Sequence, residues 1–209
     1  MKLFKFILGL LLIPLSLLLA GAFVHSLVLL QAPQRTEIFF LAGVVAYLLL
    51  HVLLYRPVFM HIMAHEFTHA VWTLIFGGKV SEFHVTGKGG NVKVSRTNFL
   101  ITLAPYFFPL YTVVILLQCL IIKKEFYDYA VFFVGFTLSF HVILTIHSIL
   151  QKQSDFNESG ALFSYAFVSF VNILVIAGIF AAVSPQFKFL AFLKDAHSIL
   201  GGLVGANKF

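Results

Sequence analysis

Charged residues are scarce in this chain: they make up 11% of its 209 residues, where an ordinary soluble domain carries roughly a quarter. That shortage excludes a soluble domain with a fully solvated surface. Basic residues outnumber acidic ones by 14 to 8, for a net charge of +6, but they are scattered over termini and loops. No basic stripe offers a track for nucleic acid, so no nucleic-acid partner is expected, and the excess fits contact with the anionic headgroups of a lipid bilayer. The single cysteine, Cys119, lies in an apolar run, cannot form an intrachain disulfide and reads as a small buried hydrophobe. Internal repeats, low-complexity linkers and long polar segments are missing as well, which leaves no stretch for a separate soluble domain.

Apolar sequence fills the space instead, with 60% hydrophobic residues and a mean hydropathy of +1.00. Uncharged apolar runs occur at about 6–30, 38–55, 58–77, 98–122, 129–150 and 160–183, each bounded by charged or turn-forming residues. Most are close to the ~20 residues a helix needs to cross a bilayer. The expected fold is therefore an all-α polytopic membrane protein with about six transmembrane helices in a single membrane-embedded domain over 1–209. The first run follows Lys2 and Lys5 and carries Ala20, Gly21 and Ala22, as a signal peptide would, but uncharged sequence continues to Gln34 and favours a retained helix. After the last run, Leu190, Leu193, His197 and Leu200 recur at helical spacing, so 187–203 is read as an interfacial amphipathic helix. The placement of Lys and Arg leaves the orientation undecided.

The third run contains Ala64-His65-Glu66-Phe67-Thr68-His69, and from His61 to Gly78 Glu66 is the only formally charged side chain. A carboxylate at membrane depth is costly and marks a functional site. Each helical residue turns the chain by about 100°, so His65 and His69 share a face one turn apart and can converge on one Zn²⁺ ion. Glu66 flanks that face and can take a proton from metal-bound water, provided that a polar cavity opens toward Glu66 and Thr68. His61, one turn earlier on the same stripe, is either a second polar group at the site or a helix-end histidine. The combination points to hydrolysis within the bilayer, with a catalytic core at about 58–183.

A catalytic zinc ion takes three protein ligands and keeps one position for water, so a third ligand must come from elsewhere. Asp155 lies in the polar, Gly-terminated loop 151–160, where a carboxylate could dip back toward the ion without breaking a helix, and it is the leading candidate. His147, His141 and Glu158 are the alternatives. A fourth protein ligand, His147 for example, would close the site and favour a different reading, that of a non-proteolytic zinc-binding membrane protein with a structural or regulatory role.

The segment 79–97 alternates around a Gly-rich turn at 87–90 and predicts a small membrane-associated β-hairpin directly after the metal helix. Strict alternation puts Val80, Glu82, His84 and Thr86 on one side and Ser81, Phe83 and Val85 on the other. An exposed hairpin edge could hold an extended peptide, with Phe83, Val85, Val92 and Val94 as candidate substrate contacts. A plain connector between spans is the competing interpretation.

The stretch from Ala64 to Pro109, with A-H-E-F-T-H-A, then F-G-G-K-V-S-E-F, then L-A-P-Y-F-F-P, resembles the site-2 protease family of intramembrane zinc metalloproteases. The resemblance is to a compact form with no regulatory domain. It implies that His65 and His69 are ligands, Glu66 is the catalytic base, Asp155 in S-D-F-N-E-S-G is the third ligand, and the hairpin is cytoplasmic. It further implies a zinc metalloendopeptidase whose substrate is another membrane protein or a transmembrane peptide. Two positions depart from the family pattern: Thr68 stands where a glycine is usual, and the later N-P-D-G signature is absent.

Overall fold

The computed structural model describes residues 2–53, 57–151 and 153–205. In chain order the elements are α1 (Lys2–Val28), α2 (Arg35–Leu53), α3 (Val58–Ile75), β1 (Val80–Thr86), β2 (Gly89–Val94), α4 (Phe99–Phe107), α5 (Leu110–Cys119), α6 (Tyr127–Leu150), α7 (Ser154–Glu158), α8 (Ala161–Val183) and α9 (Phe189–Gly205). A 3-10 turn at Lys124–Phe126 leads into α6.

Among the described residues, four helical stretches are long and apolar enough to cross a membrane: α1, α2, Lys124–Leu150 and α8. They are compatible with a multi-pass membrane protein. The pair α4 and α5, bent by 68°, makes a fifth if it counts as one span. Four or five of the expected six runs thus pass as spans by length and composition, for two physical reasons. The run 58–77 becomes α3, whose His61, His65, Glu66 and His69 lower its hydropathy. The run 98–122 breaks where Pro109 has no N–H to give and Phe108, just before it, is forced to an extended ψ of 101°. The last residues of the run 38–55 lie outside the described residues.

The chain divides into two compact units, Met1–Glu37 with Gly160–Phe209 and Ile38–Ser159. In the first, α1 packs along α8, and α9 packs on α1. Phe192 of α9 is fully buried and meets Phe23 of α1 edge to face, whereas Leu190 and Leu200 stay exposed. Glu37 is only 3% exposed and fully satisfied: it accepts from the Gln34 backbone N–H, the Gln186 amide and the Ser184 hydroxyl. It caps the start of α2 rather than serving a reaction.

In the second unit, Tyr47 of α2 packs with Phe140 and Leu144 of α6. Gly43 lies against the carbonyl of Phe132 and Gly135 against that of Phe40, a reciprocal contact that lets the two backbones approach closely. The site is built on α3, which ends in Phe76-Gly77-Gly78. Gly77 has φ +70°; its N–H donates to Leu74, and the Gly78 N–H donates to Thr73. This left-handed stop reverses the chain directly into β1.

The hairpin forms as expected, with β1 and β2 antiparallel and Phe83 opposite Val92. Its register shifts between Val80 and Glu82, so Ser81 is an extra residue and Val80 pairs with Val94. Strict alternation fails at that point: Val80 joins the face of Phe83, Val85, Val92 and Val94. That apolar face turns toward α3, with the Phe83 ring 6.3 Å from Phe67.

Candidate metal centre

Helical spacing brings His65 and His69 together as expected, with their Nε2 atoms 3.1 Å apart. Asp155 Oδ2 lies 3.5 Å from Nε2 of His65 and 3.7 Å from Nε2 of His69. The three side chains are the one such group among the described residues that could hold a metal ion, all three ligand atoms lying within 4.8 Å of one another. With metal–ligand bonds of about 2.0–2.1 Å, these separations correspond to angles of roughly 100–130° at a common ion, as tetrahedral coordination asks. His147, His141 and Glu158 stand outside the group. His147 shares a 2.8 Å hydrogen bond with Gln151, and Glu158 accepts from the Thr102 hydroxyl at 3.4 Å.

The donor set is one that could hold a cation. Nδ1 of His69 lies 2.9 Å from the Ile101 carbonyl, which can only accept, so that nitrogen carries the proton. In the neutral ring, Nε2 then presents a lone pair to the centre. The Tyr106 hydroxyl donates to Asp155 Oδ2 at 2.7 Å, so this oxygen too faces inward as a charged acceptor. Burial raises the proton affinity of Asp155, and the hydrogen bond from the Tyr106 hydroxyl opposes that by favouring the charged form. A divalent cation could be held among these three atoms, and both outer partners are of the kind that orient metal ligands.

Asp155 reaches the centre from α7, a helix of five residues where the sequence suggested a plain loop. Phe156, fully buried, anchors α7 by packing on the Tyr106 ring at 4.5 Å between centroids. Tyr106 also sets its ring edge to face with His65 at 5.3 Å. Sequence reading did not single out Tyr106 or the Ile101 carbonyl, although Pro105, between them, is the signal that could have pointed there.

Glu66 borders a cavity of about 420 Å³, shared with His61, His65, His147, Gln151 and the hairpin tip at Lys88–Gly90. The tip sits so close that a Cβ on Gly90 would stand 2.5 Å from Glu66 Cγ and 2.8 Å from Ile62 Cγ2. His61 lines the cavity and lies 3.3 Å from the Ser148 hydroxyl. Thr68 does not line it: the side chain is buried and its hydroxyl donates back to the Ala64 carbonyl at 2.7 Å. Phe83, Val85, Val92 and Val94 belong to the face that packs toward α3, with Phe83 still 45% exposed. The sheet has two strands, so each keeps an outer edge without a strand partner among the described residues.

No family model matches the chain, and no curated protein or solved structure matches it.

Proposed function

We propose that the chain is an intramembrane zinc metalloendopeptidase, similar in plan to the site-2 proteases, acting on membrane-protein or transmembrane-peptide substrates. The observation that carries this reading is the convergence of Asp155 Oδ2 with Nε2 of both His65 and His69 beside Glu66. His65, His69 and Asp155 would hold one Zn²⁺ ion, leaving one position open. When bound, such an ion lowers the pKa of a water molecule and polarises a scissile carbonyl. Glu66 would take the proton at its carboxylate and pass it to the leaving amine. The 420 Å³ cavity admits water to that carboxylate, which otherwise sits on a largely apolar helix. A hairpin edge beside the cavity would hold the substrate backbone in extended form, because a helical substrate hides its carbonyls in its own hydrogen bonds. The apolar side chains Phe83, Val85, Val92 and Val94 would seat the hairpin on α3 and contact the substrate only at Phe83.

The test is cleavage of single-span substrates co-expressed with the full chain, beside Glu66→Gln and a metal analysis of both. Loss of cleavage in Glu66→Gln with zinc retained is the expected result. Full activity in that variant would sink the mechanism.

A further inference from the structure

We infer that Pro105 is a positioning residue for the metal centre: lacking an N–H, it leaves the Ile101 carbonyl free to accept from Nδ1 of His69, which turns Nε2 toward the ion. The inference rests on the metal site proposed above. In a regular helix the carbonyl of residue 101 accepts from the N–H of residue 105, four positions on. Pro105 lies inside α4 and cannot make that bond. Ile101 is buried, so its carbonyl must find another donor. Its own N–H is already given to the Asn98 side chain at 2.9 Å, the cap of α4. The donor supplied is the His69 ring, at 2.9 Å. One proline thus both breaks a backbone bond and fixes a tautomer on the neighbouring helix α3. The next residue, Tyr106, holds Asp155, so consecutive positions of α4 serve two different ligands.

The test is Pro105→Ala in the full chain, with zinc affinity measured by chelator competition and the His69 tautomer read from imidazole ¹⁵N shifts in metal-free protein. A purely structural proline predicts a helix made more regular by alanine, with unchanged affinity and tautomer. A positioning proline predicts affinity lower by about 10–100-fold, the range for an outer partner of a ligating histidine, with His69 released into a tautomer mixture. Replacing residue 105 by the α-hydroxy counterpart of alanine, whose ester has no N–H and no ring, should restore both properties. A folded Pro105→Ala protein that matches wild type in affinity and tautomer overturns the inference, as does equal weakening by alanine and ester. If the alanine variant does not fold, the ester variant decides alone: retained affinity supports the inference and lost affinity overturns it. Wild-type protein that binds no zinc would instead strike the reading of the centre itself, while the tautomer measurement, made without metal, still tests the role of Pro105.

Discussion

The two sides of the candidate metal centre are built in different ways. His65 and His69 stand on α3, where one helical turn fixes their spacing before any tertiary contact is made. Asp155 stands on five residues of α7 and reaches the two histidines because Phe156 packs on Tyr106 and Tyr106 donates to the carboxylate. The regular side carries its spacing within the element and takes only the ring orientation of His69 from α4, whereas the irregular side borrows its position from α4. A centre assembled in this way should respond to changes at the ligands on either side and to changes in the α4 residues that orient them, but only weakly to changes at the ends of α3.

The largest effects are expected at the ligands. His65→Ala or His69→Ala leaves two protein ligands, and zinc affinity should fall by more than the 10–100-fold typical of outer partners. Asp155→Asn keeps the shape but removes the charge that offsets the ion, and it should fall comparably. Metal content after purification and chelator competition give the measurement. Retention of tight zinc by Asp155→Asn, with loss in both histidine variants, would break the pairing of the two sides and move the third ligand elsewhere.

A smaller effect is expected from Tyr106→Phe, which keeps the ring against His65 and Phe156 but removes the donor to Asp155 Oδ2. Zinc affinity should drop by about tenfold, the lower end of the range for outer partners. An unchanged affinity would show that α7 positions Asp155 without help from α4, and the contrast between the two sides would narrow accordingly.

How much of this was legible in the sequence follows the same division. The pair His65 and His69 with Glu66 beside them could be read directly, because a helix converts spacing into direction. The hairpin could be read from alternation around Gly87–Gly90, apart from the Ser81 bulge, which depends on how β1 meets β2. Asp155 could be ranked ahead of His147, His141 and Glu158 but not settled, since nothing local to 151–160 shows that Tyr106 waits for it. Six spans are not confirmed for a related reason. Hydropathy locates apolar runs, but the polar stripe of α3 lowers its mean hydropathy and the break at Phe108–Pro109 divides the run 98–122.

The smallest effect on metal affinity is expected where the regular side is stressed at its end. Gly77 closes α3 at φ +70° with open space around its Cα, so Gly77→Ala meets no clash and suffers only the cost of a left-handed backbone, about 1–2 kcal/mol. That strain falls on the turn into β1, two helical turns beyond His69. Thermal stability should therefore drop while zinc affinity stays within a factor of about two, because one turn of intact helix already fixes the two histidines. An affinity loss as large as that of Tyr106→Phe would mean that the helix end and the hairpin it launches take part in holding the ligands. In that event the regular side would depend on its surroundings as much as the irregular one does.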